Sequence, residues 1–376
     1  MTTTTTTDTT EALEATPTPP PDAAELEEFS GHVAQYATAA INAVLVHLGD
    51  RLGLWKALAE SGPADAATLA ARAGVAERYL QEWLSAQAAN GFATYDASTG
   101  EFSISPAQAA VLADEDSAHL FQGAFQMLPS MWKMLPAHEA AFRSGDGIAW
   151  GDWDGDFFDA QERFSRPLHS GLLVDVYLAA VPGLMATLEA GALVADVGCG
   201  YGTSTITLAQ RFPASRFVGY DFHERSIGRA REAARRAGVE DRVRFETAAS
   251  STFPGEGYDL VLFCDSLHDL GDPVAAARRA ALALAPGGML VTLDPRAAGD
   301  SLAENLGDPL AGAFYAVSTL LCTPGALAQG AEAHGTLAGE RALTEVLREA
   351  GFAHVVRVAP EAPMNMVLVA SDGELA

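Results

Sequence analysis

The stretch from Leu193 to Phe222 constrains the fold of this chain most strongly. Residues 193–197 form a short apolar run, which is typical of a parallel strand buried on both faces. Three glycines follow at alternate positions, and the pattern over 203–212 predicts a helix. Residues 216–220 read as a second strand that ends at Asp221. This order of strand, glycine turn, helix and strand predicts a doubly wound α/β sheet with a ligand at the turn.

The residues around the turn indicate what kind of ligand fits. Gly198, Gly200 and Gly202 let the backbone bend sharply and approach a ligand, because no Cβ intervenes. The helix that begins at Thr203 would turn its unpaired N–H groups toward the same ligand. Asp221 suits a ribose, since a carboxylate can accept hydrogen bonds from both hydroxyls. We therefore predict a nucleoside-containing cofactor.

The glycine spacing distinguishes two families of cofactor enzymes. The nicotinamide pattern Gly-x-Gly-x-x-Gly would place its last glycine at Thr203. The sequence instead reads Asp196-x-Gly198-x-Gly200-x-Gly202, which resembles the first motif of class I S-adenosylmethionine-dependent methyltransferases. This resemblance implies S-adenosyl-L-methionine as the cofactor, with Asp196 contacting its amino-acid end through the loop. A nicotinamide dehydrogenase is the less favoured alternative.

The adenine end of the predicted site departs from that family. Related methyltransferases usually carry an acid at about Ala249, so here Ser250, backbone groups or packing must hold the adenine. The segment from Phe164 to Ser170 resembles one in plant-type O-methyltransferases whose Phe packs on the bound cofactor. The complete set of predicted cofactor-binding residues is Asp196, Gly198, Cys199, Gly200, Gly202, Thr203, Asp221, Phe222, Ala249, Ser250, Cys264, Asp265 and Phe164.

A histidine follows the fourth predicted strand, at the edge of the sheet where the cofactor is expected. Its pKa lies near neutrality, so it could take a proton from a hydroxyl group. The run Leu267-His268-Asp269-Leu270-x-Asp272 resembles the Leu-His-Asp-Trp-x-Asp run of small-molecule O-methyltransferases, whose His is the catalytic base. The resemblance implies that His268 is the base, while Asp269 either caps the next helix or lies near the base. The three cysteines are widely spaced, so we expect no metal site.

The chain divides into four predicted segments. Residues 1–22 are rich in threonine and proline and predict a disordered tail, because they cannot bury enough apolar surface. Residues 23–106 read as a winged-helix domain of the dimerisation type, and 107–175 as a helical connector and substrate lid. Residues 176–376 form the predicted S-adenosylmethionine-binding domain. The expected fold class is a doubly wound seven-stranded Rossmann-like sheet with an N-terminal all-helical or winged-helix domain.

The electrostatic balance argues against a DNA-binding role for the winged helix. Only Arg72 and Arg78 are basic between residues 65 and 92, against Asp65, Glu77 and Glu82. The formal net charge of the whole chain is −26, whereas nucleic acids and anionic membranes attract basic surfaces. We therefore expect no nucleic-acid or membrane partner, and a winged helix that serves in a homodimer, as in O-methyltransferases.

The predicted function is O-methylation of a hydroxylated small molecule. N- or C-methylation is an alternative, since an amine or a carbanion needs no strong base. A winged-helix regulator with a cofactor-sensing domain is another. The cysteine usage indicates a reducing, cytoplasmic compartment. The sequence contains no apolar run of about 18 residues, so we expect no membrane span.

Overall fold

The computed structural model describes residues 21–330 and 333–373. The predicted disordered tail falls almost entirely on residues 1–20, outside the described residues. The helices are α1 Ala23–Arg51, α2 Leu54–Ser61, α3 Ala66–Ala73, α4 Glu77–Ala89, α5 Pro106–Leu112, α6 Gln122–Lys133, α7 Leu135–Ser144, α8 Gly155–Gly171, α9 Leu184–Ala190, α10 Thr203–Arg211, α11 Glu224–Ala237, α12 Pro273–Ala283, α13 Leu302–Asn305, α14 Ala311–Val317, α15 Thr323–Leu327 and α16 Gly339–Glu349. The strands are β1 Thr94–Asp96, β2 Glu101–Ser103, β3 Leu193–Val197, β4 Arg216–Asp221, β5 Val243–Thr247, β6 Tyr258–Cys264, β7 Leu284–Pro295, β8 His354–Val358 and β9 Asn365–Ser371.

The predicted seven-stranded sheet is confirmed. Its strand order is β5-β4-β3-β6-β7-β9-β8, with β3 to β7 parallel and β9 antiparallel to both of its neighbours. Alternate residues of β3 enter different core clusters: Val194 packs on one face of the sheet, and Ala195 and Val197 on the other. The strand order reverses between β3 and β6, which is where an open α/β sheet forms its ligand crevice.

The N-terminal helices and the β1–β2 hairpin form the predicted helix-turn-helix and wing. Trp55 and Trp83 pack edge to face at 4.7 Å in its core, and the Trp83 indole donates to the Leu45 carbonyl at 2.8 Å. Two details differ from the prediction. The apolar spacing of Tyr79, Leu80, Trp83 and Leu84 predicts that Tyr79 is buried, but it is 83% exposed. The alternation over residues 92–95 predicts that Phe92 belongs to the wing, but its N–H donates to the Gln87 carbonyl and closes α4.

The connector predicted over 107–175 is helical, and it continues into a π-helical turn at Leu173–Tyr177. Within the described residues, no single helix has both the length and the apolar character to cross a membrane. The segments Leu173–Ala180 and Leu184–Ala190 reach that criterion only together, and they are bent by 117°.

Two segments of the sheet domain differ from their predicted form. The run Pro286-Gly287-Gly288 predicts a turn before the fifth strand, but these residues lie within β7, as an irregularity where the register with β6 jumps from Tyr258–Leu284 to Leu260–Met289. The apolar residues at 314–321 predict a helix of about that length, but α14 runs through a π-helical turn, Ser318–Cys322, directly into α15. This extended helical segment packs over the crevice.

Candidate active site

A cavity of about 220 Å³ opens at the carboxyl ends of β3, β4, β5 and β6. One side is formed by α8, and another by the helical segment around Cys322. The strand ends place many of the predicted cofactor residues around this one space, because the carboxyl ends of parallel strands meet at the same edge. The predicted residues that line the cavity are Gly198, Cys199, Gly200, Thr203, Asp221, Phe222, Ala249, Ser250, Cys264, Asp265 and Asp269.

The glycine loop folds against the end of β4. The N–H groups of Gly198 and Cys199 both donate to the Tyr220 carbonyl, at 2.8 and 3.0 Å. All three glycines have positive φ, at 79°, 52° and 80° for Gly198, Gly200 and Gly202, a region that other residues rarely occupy. A Cβ at Gly200 would meet nothing within 4 Å, whereas one at Gly202 would lie 2.4 Å from Phe245. Gly200 therefore leaves room for a ligand, and Gly202 allows close packing inside the fold.

Asp221 lies at the floor of the cavity, close to this loop. Its Oδ2 accepts from the Gly200 N–H at 3.0 Å, and its Oδ1 accepts from the His223 N–H at 2.8 Å. Burial raises the pKa of Asp221, and these two N–H groups oppose that rise. Each carboxylate oxygen keeps a second lone pair, so both can still accept from neighbouring hydroxyls.

Asp196 does not line the cavity. It is buried beneath the loop, where its Oδ2 accepts from the hydroxyls of Ser204 and Thr205 at 2.5 and 2.6 Å. Burial raises the pKa of this carboxyl group, while the two hydroxyls lower it. Asp196 therefore holds the first turn of α10 in place beneath the loop.

Phe164 also lies away from the cavity, contrary to its predicted position. It packs against Phe121 at 5.6 Å between ring centroids, and α6 approaches its backbone so closely that a Cβ at Gly123 would clash. The phase of α8 turns a different, polar face toward the cavity. The polar lining residues of α8, which the sequence did not single out, are Gln161, Glu162, Ser165 and His169, and Phe158 of the same helix also lines the cavity.

His268 is more enclosed than a simple base would be. Its side chain is only 4% exposed and does not line the cavity. The ring Nδ1 lies 2.7 Å from Asp294 Oδ1, and Nε2 lies 3.1 Å from Asp269 Oδ1. Burial lowers the pKa of His268, but the adjacent carboxylates, with Asp269 the stronger, more than offset burial and raise it well above 6.5. The two carboxylates therefore favour the protonated form of the imidazole.

Asp269 is the member of this pair that faces the cavity. Although burial raises its pKa, the charge of His268 lowers it below the ordinary value of 3.8, so the group is a carboxylate. The lone helical turn at Leu267–Asp269 is fixed from the other side by Gln329, whose Nε2 donates to the Asp269 carbonyl at 3.3 Å. Asp269 does not cap α12, because Asp272 accepts from the Ala275 N–H in that role. An anionic oxygen thus lies at the cavity wall with an imidazolium behind it.

Asp265 anchors a second polar network at the cavity wall. Its φ of 52° is unusual for a residue other than glycine. Asn365 donates to its Oδ1 at 2.5 Å, and His169 Nε2 lies 3.5 Å from its Oδ2. Tyr177 in turn donates to Asn365 at 3.1 Å. This network links β6, β9 and α8, and it fixes the shape of the cavity between the glycine loop and Asp269.

Two family models match separate parts of the chain. Residues 195–290 match the Methyltransferase domain family, and residues 39–114 match the Rv2258c-like winged HTH domain family. These matches confirm the methyltransferase domain and the winged helix that the sequence predicts.

Curated relatives match the chain over part of its length. The 27-O-demethylrifamycin SV methyltransferase of Amycolatopsis mediterranei is 32% identical over 152 residues, which are 40% of this chain and 52% of the relative. The chain therefore spans about half the length of the curated relatives it matches, such as this one and a trans-aconitate 2-methyltransferase of Paracidovorax citrulli.

Solved structures match over nearly the whole chain. Human N-acetylserotonin methyltransferase in complex with S-adenosylmethionine is 18% identical, with a TM-score of 0.67 over 94% of this chain and 99% of its own. An O-methyltransferase family protein from Burkholderia thailandensis is 21% identical, with a TM-score of 0.64 over 95% of this chain and 100% of its own. At these identities the likeness establishes the fold.

Proposed function

We propose that this chain, which carries a class I methyltransferase domain and a winged helix, transfers a methyl group from S-adenosylmethionine to a hydroxyl of a small molecule. The observation that carries the proposal is the juxtaposition of an open glycine loop, Asp221 and the Asp269 carboxylate around one cavity. The 27-O-demethylrifamycin SV relative and the O-methyltransferase-like structures support a small, hydroxylated acceptor.

The donor half of the cavity fits the nucleoside and amino-acid parts of S-adenosylmethionine. The space above Gly200 admits a ligand next to the backbone, and the free lone pairs of Asp221 suit the two ribose hydroxyls. Ala249 and Ser250 line the cavity in the region that we assign to the adenine, and residue 249 is an alanine rather than an acid. When bound, S-adenosylmethionine supplies an electrophilic methyl group on a sulfonium.

The residues of the acceptor half align the hydroxyl and receive its proton. Methyl transfer is an in-line displacement, so the new C–O bond forms as the C–S bond breaks and the hydroxyl proton must leave. Asp269 lines the cavity and can take that proton as the new C–O bond forms, when the hydroxyl has become far more acidic than a carboxylic acid. His268 stabilises the carboxylate through its positive charge, and Asp294 holds the imidazole in position. The histidine predicted as base thus acts with Asp269 as a coupled pair.

Calorimetry and a turnover screen test this function together. We expect saturable binding of S-adenosylmethionine and of S-adenosylhomocysteine, and no binding of NADH. In a screen of phenols, amines and carboxylic acids, mass spectrometry should detect methylated phenols in preference to the other two classes. Absence of binding of either sulfur nucleoside would contradict the proposal, and methylation of amines alone would contradict the assignment of the acceptor atom.

We further propose that the chain acts as a homodimer through the first half of α1. Residues 21–41 are all exposed in the described structure, yet they carry large apolar side chains such as Phe29, Val33, Tyr36 and Ile41. An isolated helix of this kind is marginal in water, so its stability calls for a packing partner. A second copy supplies an identical apolar face, as a two-fold symmetric interface requires.

The double variant Phe29→Ser/Ile41→Ser should shift the protein from dimer to monomer. It removes one aromatic ring and one branched aliphatic side chain, which are 64% and 68% exposed in the single chain. Light scattering coupled to size-exclusion chromatography would measure the mass, which is 39.3 kDa for one chain. Gln35→Ser, on the same exposed segment, is the matched control and should remain dimeric. A monomeric wild-type protein would contradict the proposed interface.

A further inference from the structure

Three side chains of different chemistry converge at the acceptor end of the cavity. His268 Nε2, a carboxylate oxygen of Asp269 and Cys322 Sγ all lie within 4.8 Å of one another. Nitrogen, oxygen and sulfur ligands of these types bind Zn²⁺ in proteins, and in a tetrahedral site they lie roughly 3.3–3.8 Å apart. Because Cys322 reaches the cluster from the insertion after β7, the sequence spacing gave no metal pattern.

Neighbouring groups already orient two of these ligands. Asp294 contacts Nδ1 of His268 at 2.7 Å, so the opposite nitrogen, Nε2, points toward Asp269 and Cys322. Thr292 donates to the other oxygen of Asp294, and Thr336 lies 2.9 Å from Cys322 Sγ. A carboxylate behind a ligating histidine is the usual arrangement around protein-bound metals, since it fixes the ring and increases its basicity.

The third ligand has a buried oxygen, Asp269 Oδ1. His268 Nε2 lies 3.1 Å from it, but among the described residues no hydrogen bond of acceptable geometry reaches this atom. Buried polar atoms without a partner are uncommon and call for an explanation, such as an ion. Asp269 and Cys322 also both line the cavity, so a fourth position between them would open toward the acceptor.

A second group of potential ligands lies nearby, formed by His169, Cys264 and Asp265. It is the weaker candidate, because Asn365 already donates to Asp265 Oδ1 at 2.5 Å. Among the hydrogen bonds of the described residues, no carboxylate holds the second ring nitrogen of His169 in the way that Asp294 holds Nδ1 of His268.

We propose that His268, Asp269 and Cys322 form a binding site for a thiophilic divalent cation such as Zn²⁺, with three protein ligands and one open position. On binding, the cation takes the thiolate of Cys322 and the unprotonated Nε2 of His268, and any protons that these two atoms carried pass to solvent without any oxidation. The occupied site no longer offers the Asp269–His268 pair as a proton acceptor, so the cation inhibits methyl transfer. This last consequence rests on the proposed function, whereas cation binding does not.

Cobalt titration of the purified full chain tests the site without donor or acceptor present. Co²⁺ bound to a thiolate gives an intense charge-transfer absorption in the near ultraviolet, which we expect to saturate at one equivalent. Cys322→Ser should abolish this band, while Cys199→Ser and Cys264→Ser should retain it. No cobalt binding, a band that survives in Cys322→Ser, or one that disappears in Cys264→Ser would each overturn the proposal.

The zinc affinity gives a second, independent measurement. Asp294→Asn should weaken Zn²⁺ binding roughly 10–100-fold but keep the cobalt–thiolate band, because it alters only the support of His268. Circular dichroism would verify that each variant is folded. In turnover assays, Zn²⁺ should inhibit the wild-type protein reversibly with chelator, and the ratio of rates with and without Zn²⁺ should approach one in Cys322→Ser. Zinc that activates turnover would contradict the inhibitory role, and an affinity unchanged in Asp294→Asn would contradict the ligand set.

Discussion

The Asp269→Asn variant should lose most of its turnover while still binding S-adenosylmethionine. An amide cannot accept the proton of an acceptor hydroxyl, and proton transfer by a positioned side chain typically contributes about 10²–10⁴-fold to the rate. In the proposed arrangement Asp269 faces the acceptor, whereas Gly200 and Asp221 hold the donor, so the donor affinity should change little. Single-turnover rates and calorimetry, both measured with chelator present, would separate the two quantities.

The roles of Asp269 and His268 can be separated by combining variants. If the two act as a unit, His268→Ala should also lower the rate, and the double variant should be no slower than the slower single variant. Asp241→Asn, on an exposed carboxylate paired with Arg242, is the control and should retain the wild-type rate. An Asp269→Asn variant at the wild-type rate, beside an inactive His268→Ala variant, would show that His268 alone is the base.

The sequence predicted the parts of the site that follow directly from strand ends. Apolar runs located β3, β4 and β6, and the carboxyl ends of parallel strands necessarily meet at one edge of a sheet. Asp221 could therefore be assigned to the cavity from its position alone. The seven-stranded sheet followed from the same alternation of apolar strands and amphipathic helices.

Side chains that reach the cavity from helices were much harder to predict. The rotation of α8 about its axis decides whether Phe164 or His169 faces the cavity. That rotation is set by packing against α6, which is distant in sequence. Cys322 lies between β7 and α16, in a segment whose apolar residues follow little regular spacing. Its position depends on contacts such as the hydrogen bond from Gln329 to the Asp269 carbonyl.

One feature of the sequence could have predicted the environment of His268. Asp294 lies at the carboxyl end of β7, one residue before the last, and β7 is the neighbour of β6, so its carboxylate had to lie close to the loop that carries His268. An acid at the end of an adjacent strand thus indicates a held, charged histidine rather than a free one. The depth of burial could not be inferred, because it depends on the helical segment that covers the loop.

Replacing Asp221 with Ala should cause the largest loss of donor affinity of any single change in the cavity. Each lone pair that the two oxygens offer to a ribose hydroxyl is a hydrogen bond to a charged group, worth about 1.5–3 kcal/mol. The loss of two such bonds corresponds to roughly 10²–10⁴-fold weaker binding of S-adenosylhomocysteine in calorimetry.

The structural part of the effect of Asp221→Ala must be measured separately, since Asp221 also holds the Gly200 N–H. Gly202→Ala provides that control. Its Cβ would lie 2.4 Å from Phe245, so the variant should be less stable, yet Gly202 does not line the cavity. If Gly202→Ala lowers the melting temperature but keeps its affinity, while Asp221→Ala loses affinity at a similar melting temperature, the carboxylate acts through the ligand. Equal losses of affinity in the two variants would mean that loop disorder, and not a missing contact to the ribose, weakens binding.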